Sequence, residues 1–166
     1  MIVVLMGVCG TGKTRVGRAL AESLGWPFYD ADDYHPPANV AKMAGGVPLT
    51  DDDRWPWLDR IVEELAHAGA DDGNAVLACS ALRQIYRDRL ARAGNVRFVF
   101  LKGDLATIAA RLATRSHKYM PASLLPSQLA TLEEPPDALV VDIRADIQAK
   151  VATIREGLGL SQVNAA

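Results

Sequence analysis

Short apolar runs alternate with longer amphipathic segments along most of the chain. Each run is five or six residues long and mainly aliphatic or aromatic, and the runs occupy Ile2–Met6, Trp26–Asp30, Ala75–Cys79, Val96–Leu101 and Ala138–Asp142. Unbroken apolar runs of this length are typical of strands that are buried on both faces of a parallel sheet. We therefore predict five strands.

The segments between the runs carry apolar residues at the three- and four-residue spacing of an amphipathic helix. They cover Lys13–Leu24, Arg54–Ala68, Arg83–Arg92, Leu105–Arg115 and Ile143–Gly157. Strands that alternate with helices and connect by right-handed crossovers predict a doubly wound α/β fold. We expect a five-stranded parallel sheet with helices on both faces, which is a three-layer sandwich.

Two Pro-containing connections, Pro36–Pro48 and Pro121–Pro136, are long for plain loops. Long connections in compact domains often cover an active site. We expect a substrate flap at about residues 32–58 and a mobile lid at about residues 112–128. Neither connection separates two domains, so the 166 residues are predicted to form one domain.

Composition narrows the class of partner. The formal net charge of -2 gives no long-range attraction to nucleic acid or to an anionic membrane, so we predict neither as a partner. The two cysteines, Cys9 and Cys79, lie in apolar stretches without metal-like spacing, which fits a reducing, cytoplasmic location. The remaining expectation is a local site for a small anion.

The first strand is followed by a segment that matches G-x-x-x-x-G-K-[ST] at every fixed position, Gly7-Val8-Cys9-Gly10-Thr11-Gly12-Lys13-Thr14. Glycines let backbone N–H groups turn inward around a triphosphate, and the following helix directs its positive end toward it. Lys13 is expected to reach the β and γ oxygens, and the Thr14 hydroxyl to bind Mg²⁺. The segment therefore predicts an ATP site and a P-loop NTPase fold.

A P-loop enzyme also needs a carboxylate near the metal. The second strand ends in Tyr29-Asp30-Ala31-Asp32-Asp33. Alternate residues of an extended segment point the same way, so Asp30 and Asp32 are expected on one face at the carboxyl end of the sheet. We assign Asp30 to the shell of Mg²⁺ and Asp32 to the acceptor hydroxyl, as its orienting group or base.

Further motifs resemble the small P-loop gluconokinases, which are related in fold to shikimate and adenylate kinases. The resemblance runs from Val4 to about Asp142, and its most specific part spans His35-Pro36, Asn39, Lys42-Met43, Gly46-Val47-Pro48-Leu49 and Asp51-Asp52-Asp53-Arg54-Trp55-Pro56-Trp57. It continues through Cys79-Ser80-Ala81-Leu82-Arg83, Ser127-Gln128 and Thr131-Leu132-Glu133.

The resemblance implies phosphorylation of D-gluconate by ATP to give 6-phospho-D-gluconate and ADP. Gluconate has a carboxylate and a row of hydroxyls, and Arg54 and Arg83 offer planar forks of donors for the carboxylate. Asp32, His35 and Asp53 are expected to orient hydroxyls, and Lys42 is carried as a further substrate contact. Gluconokinases of this type are often dimers, so the resemblance also implies a homodimer.

Kinases of this shape shield the transferring phosphate with a basic lid. Arg111 and Arg115 lie four residues apart on one helical face. Arg111 matches the family position near the adenine or phosphates, and Arg115 suits the transferring phosphate. The chain departs from the family where a His-Phe pair is common before Met-Pro. Lys118-Tyr119 stands there, with His117 one position earlier, so no role is carried over.

Two other functions remain open. One is another small-molecule P-loop kinase, of the shikimate or nucleoside monophosphate type, although the His35-Pro36 and Asp53-Arg54 elements disfavour it. The other is a nucleotide-binding module without turnover. An Asn-Lys-x-Asp segment, which GTPase switches use to select guanine, does not occur in the chain.

Overall fold

The computed structural model describes residues 1–70, 73–114 and 122–160, apart from the side chain of residue 122. Five parallel strands form one sheet in the order β2-β3-β1-β4-β5. Their bounds are β1 Ile2–Met6, β2 Phe28–Asp30, β3 Ala75–Ala78, β4 Val96–Lys102 and β5 Leu139–Asp142. The predicted five-stranded parallel sheet is confirmed.

Seven α-helices lie in the described part of the chain. They are α1 Lys13–Leu24, α2 Pro37–Ala44, α3 Asp51–Ala68, α4 Gln84–Leu90, α5 Leu105–Ala113, α6 Leu125–Thr131 and α7 Ile147–Gly157. Within these residues no helix has the length and apolarity needed to cross a membrane.

The side chains of β1 show why the sheet is covered on both faces. Val3 and Leu5 pack into an apolar cluster with residues of α1, α5 and α7. Ile2, Val4 and Met6 pack into a second cluster with residues of α3 and α4. Because successive residues of a strand point to opposite faces, one apolar run supplies both cores, and the sandwich has three layers.

Several element bounds differ from the sequence prediction for local reasons. Strand β2 begins two residues later than predicted, at Phe28, because it pairs only with β3 and Pro27 has no N–H to donate. Helix α3 begins three residues earlier, because Thr50 and Asp53 form a capping box. Helix α7 begins at Ile147 rather than Ile143, because the Asp146 carboxylate accepts the Ala149 N–H at 2.8 Å.

Helices α2 and α6 lie in the two long connections, for which no helix was predicted. In α2, Pro37 occupies the first helical position, and in α6 Pro126 occupies the second. Proline is tolerated there because those N–H groups have no partner within the helix. The expected flap at 32–58 stays a prediction, and residues 115–121 of the expected lid lie outside the described residues.

Candidate active site

The phosphate loop connects β1 to α1 at the carboxyl end of the sheet. Gly10 has φ 82°, and a Cβ there would lie 2.9 Å from the Leu112 Cγ atom. Gly7 has φ 142°, and a Cβ there would lie 2.9 Å from the Leu101 carbonyl oxygen. Glycine is therefore required at both positions by conformation and by space. The loop is packed against β4 and α5 on this side.

Lys13 reaches back over the loop that precedes it. Its Nζ donates to the carbonyl oxygens of Gly7 and Val8, both at 2.9 Å. Burial lowers the pKa of Lys13, and the nearby Asp32 carboxylate acts in the opposite direction. An anion that binds beside Lys13 would favour its charged form, so binding of phosphate and protonation of this lysine are coupled.

Thr14 and Asp30 form the candidate metal site. The Thr14 hydroxyl donates to Asp30 Oδ2 at 2.8 Å, which leaves the lone pairs of the threonine oxygen directed elsewhere. Hydroxyl and carboxylate oxygens are ligands that Mg²⁺ accepts, together with phosphate oxygens and waters. Among the described residues there is no group of three or more His, Cys, Asp or Glu side chains around a common metal position. The donor set fits an ion shared with phosphates.

Asp32 lies in a 3₁₀ turn, Ala31–Tyr34, rather than in extended chain. The Asp30 carboxylate caps this turn by accepting the Asp32 N–H at 3.2 Å. The expected alternation along a strand was therefore wrong, but both carboxylates still line one pocket. The Asp32 side chain is 47% exposed, but it lies within the cleft and is surrounded by protein there. This burial is the larger cause of its raised pKa, and the Asp30 charge is the next.

His35 forms a wall of the same pocket. Its ring stacks on Trp57 with ring centroids 4.2 Å apart, and its side chain is 4% exposed. Burial, with a smaller effect of the Arg54 charge, lowers the pKa of His35 to about 4. Asn39 Nδ2 lies 3.4 Å from His35 Nδ1. The imidazole is therefore neutral at pH 7 and offers one donor and one acceptor.

Arg54 lies at the first turns of α3 and lines the pocket. One of its nitrogens donates to the Leu49 carbonyl and, at 3.2 Å, to the Tyr86 hydroxyl. Its guanidinium also lies 5.2 Å from the centre of the Tyr86 ring. These contacts hold the Arg54 guanidinium at the pocket wall, and a guanidinium can bind a carboxylate through a planar fork of donors.

Three residues predicted to bind substrate lie outside the pocket lining. Lys42 Nζ donates to both carboxylate oxygens of Asp53, at 2.7 and 2.8 Å. This bond and those from Thr50 lower the pKa of Asp53 to about 2. Arg83 pairs with Asp51 at 2.7 Å and with Glu133 at 3.3 Å. In this structure all three are held in ion pairs beside the pocket, so their substrate roles stay predictions.

Arg111 lies in a second pocket on the other side of the phosphate loop. That pocket is lined by Thr11, Gly12, Arg15, Val16, Arg111, Lys150 and four neighbouring residues, 145–148. Arg111 Nη2 donates to the carbonyl of Ile143 at 2.7 Å, which fixes the guanidinium to the segment between β5 and α7. The predicted Arg115 lies outside the described residues.

Other residues of the first pocket were not singled out as site residues. They include Ser80 after β3, Trp57 on α3, and Ser127, Gln128 and Thr131 on α6. Ser127, Gln128 and Thr131 belong to motifs of the family resemblance, which is the signal that would have pointed to them. The spacing of one helical turn between Ser127 and Thr131 indicates a shared helical face.

A glycine-rich loop that opens a helix after the central strand, with carboxylates after another strand at the same edge of the parallel sheet, defines a P-loop kinase domain. The family model for shikimate kinase matches residues 9–134 of the chain. A member of such a kinase family uses a nucleotide as phosphoryl donor.

A gluconokinase from Gluconobacter oxydans is 51% identical over 137 residues, which cover 81% of this chain and 76% of that protein. The crystal structure of a gluconokinase from Sinorhizobium meliloti is 44% identical with a TM-score of 0.84, covering 95% of this chain and 90% of that one. A sugar kinase from Janibacter sp. HTCC2649 is 40% identical with a TM-score of 0.90, covering 96% and 95%. The chain belongs to the gluconokinase family.

Proposed function

We propose that the protein transfers the γ-phosphoryl group of ATP to D-gluconate and releases 6-phospho-D-gluconate and ADP. One observation supports this most strongly: Lys13 and Thr14 of the phosphate loop, the carboxylate of Asp32 and the guanidinium of Arg54 line the same pocket. A phosphate-binding loop, a group that orients a hydroxyl and a cation for a carboxylate are the three parts that this reaction needs. Membership of the gluconokinase family supports the same acceptor.

The nucleotide is proposed to lie across the phosphate loop. Lys13 and the amides of residues 7–14, apart from the Gly7 amide bonded to Ser80 and the Cys9 amide bonded to Gln128, hold the β- and γ-phosphates. The second pocket, with Arg111, receives the nucleoside end. Thr14 and Asp30 would hold Mg²⁺. That ion, when bound, neutralises charge on the phosphate oxygens and orients them.

The acceptor is proposed to lie between Asp32 and Arg54. Arg54 binds the gluconate carboxylate, whereas the Asp32 carboxylate and the neutral ring of His35 bind hydroxyls. The hydroxyl farthest from the gluconate carboxylate then faces the phosphate loop. Asp32 accepts the proton of that hydroxyl as the bond to phosphorus forms, and its raised pKa makes it a better base than a solvated aspartate. Lys42, Asp53 and Arg83, which form ion pairs beside the pocket, are proposed as further contacts to gluconate, and Arg115 is proposed to bind the transferring phosphate.

The proposal is tested by coupled measurement of ADP formation with ATP and Mg²⁺ against D-gluconate, shikimate and nucleoside monophosphates, with phosphorus NMR of the product. We expect ADP formation with gluconate and none with the other acceptors. Lys13→Met should abolish it, and Lys102→Met, at an exposed lysine paired with Glu134, is the matched control. Turnover with another acceptor would refute the substrate assignment. Tight nucleotide binding without any acceptor-dependent turnover would identify a binding module instead.

We also infer a cytoplasmic location. Both cysteines are free thiols, and burial raises the pKa of Cys79 to about 12, which keeps it unreactive. We also propose a homodimer, which the family resemblance implies, and size-exclusion chromatography with light scattering measures the oligomeric state directly.

A further inference from the structure

A side chain of α6 is bonded to the phosphate loop. The backbone N–H of Cys9 donates to Gln128 Oε1 at 2.6 Å, across 119 positions of sequence. Both residues line the first pocket, together with Ser127 and Thr131 of the same helix. Helix α6 is therefore a wall of the pocket, and this bond attaches that wall to the loop that holds phosphate.

The segment after α6 is fixed to the segment that follows β3. The Glu133 N–H donates to the Leu82 carbonyl at 2.8 Å, and the Gln84 N–H donates to the Glu133 carboxylate at 2.7 Å. Gln128, in the middle of α6, and Glu133, two residues after its end, thus bond to two chain segments that leave neighbouring strands, β1 and β3. These bonds attach α6 and the residues after it to both segments.

The Cys9 N–H bond adds a restraint from α6 to a turn that is rich in glycine. Gly10 and Gly12 follow directly, both with positive φ, and glycine leaves the backbone with more freedom than any other residue. The Thr11 hydroxyl donates to the Val8 carbonyl at 2.9 Å and so restrains the turn from within. The Gln128 bond restrains the turn from outside, on the side that faces the pocket.

We propose that Gln128 is a positioning residue, which fixes the phosphate loop against α6 so that the terminal phosphate faces the acceptor hydroxyl and water is kept out. The inference rests on the proposed phosphotransferase function and adds a residue to it. Without the bond, the loop and α6 separate, and water reaches the terminal phosphate. ATP is then hydrolysed to ADP and inorganic phosphate, with the hydroxyl of water taking the place of the acceptor hydroxyl and its proton released to solvent.

The test compares Gln128→Met, which keeps the length but removes the acceptor oxygen, with Gln128→Glu, which keeps an acceptor. Gln84→Met is the matched control, because it keeps the backbone bond from Gln84 to Glu133 and removes only the side-chain bonds to Asp88 and Arg87 on α4. The readouts are kcat and KM for gluconate, the ratio of ATP hydrolysis to gluconate phosphorylation, ADP affinity by calorimetry, and Tm.

A displacement of about 1 Å at reacting groups can cost on the order of a hundredfold in rate, and a loosened loop moves only part of the time, so we expect Gln128→Met to lower kcat about tenfold. The hydrolysis-to-transfer ratio should rise at least about fivefold, while ADP affinity stays within about twofold. Gln128→Glu should restore a low ratio, although its charge beside the triphosphate raises KM for ATP. Gln84→Met should change Tm alone.

An unchanged ratio in Gln128→Met would overturn the positioning role, as would a loss of ADP affinity in step with kcat. If Gln128→Met does not fold, Gln128→Asn shortens the side chain by one methylene and must show the same rise in the ratio. The wild-type protein in the same assay separates the two proposals. Failure of the wild type to phosphorylate gluconate refutes the function, whereas active wild type with an unaltered Gln128→Met ratio refutes the inference alone.

Discussion

The neutral, buried histidine of the pocket predicts how stability depends on pH. The pKa of His35 is about 4 in the folded protein against 6.5 for a free histidine, because burial and the Arg54 charge disfavour the protonated ring. The unfolded chain therefore binds more protons between these two values, and stability is lost as pH falls through that window. The side chain is 4% exposed, so little solvent screening reduces the effect.

The size of this effect follows from proton linkage. Between pH 7 and pH 5 the ratio of unfolded to folded protonation polynomials for these two pKa values grows by a factor of about 20, which is about 2 kcal/mol. For a domain of this size that corresponds to a decrease in Tm of about 4–8 °C. Asp53, with its pKa of about 2, loses its contribution only at lower pH and lies outside this window.

The measurement is urea unfolding at pH 7, 6 and 5 for the wild type and for His35→Gln. The variant loses the ring stack on Trp57 at every pH, which shifts its stability by a constant amount. Between pH 7 and pH 5 the free energy of unfolding of the variant should decrease by about 2 kcal/mol less than that of the wild type. His67→Gln, at an exposed position on α3, is the control for the substitution itself. Parallel curves for the wild type and His35→Gln would refute a neutral, buried imidazole.

The remaining predictions concern the reaction. Asp32→Asn should lower kcat by about 10²–10⁴-fold, as expected for loss of a general base, and should change ATP affinity far less; an equal loss of ATP affinity would place Asp32 in the nucleotide site. In the wild type kcat/KM should decrease on the acid side with a midpoint above pH 3.8, because the pKa of Asp32 is raised. Arg54→Lys should raise KM for gluconate about tenfold, because a single ammonium cannot replace a guanidinium fork, and steady-state kinetics with ATP held saturating will measure it. An effect on KM for ATP alone would contradict that assignment.

The sequence was most informative where residue type dictates backbone geometry. The phosphate loop was predictable because Gly7 and Gly10 occupy positions that no other residue fits. The sheet was predictable because each of its five strands contains part of an apolar run of five or six residues. Helices α2 and α6 were missed because Pro37 and Pro126 resemble loop residues, although both lie at helix starts. Prolines mark helix starts and loops alike, and only the packed structure separates the two.

The site was predictable in part. Thr14, Asp30, Asp32, His35 and Arg54 do line one pocket. The pairing of Lys42 with Asp53 and of Arg83 with Asp51 and Glu133 was not foreseen, because sequence shows which charges exist but not which of them neutralise each other. Gln128 could be recognised only as part of the Ser127-Gln128 motif, because no local spacing relates it to Cys9.

The contacts around Tyr86 extend the influence of the pocket to the protein surface. Its hydroxyl bonds Arg54 and also Asp51, and Asp51 in turn holds Arg83, which reaches the exposed Glu133. The Arg54 guanidinium is thus placed by a relay of side chains that lie outside the pocket lining. Acceptor preference can therefore be altered by substitutions outside the lining of the first pocket, which neither block entry to the pocket nor replace the Asp32 carboxylate.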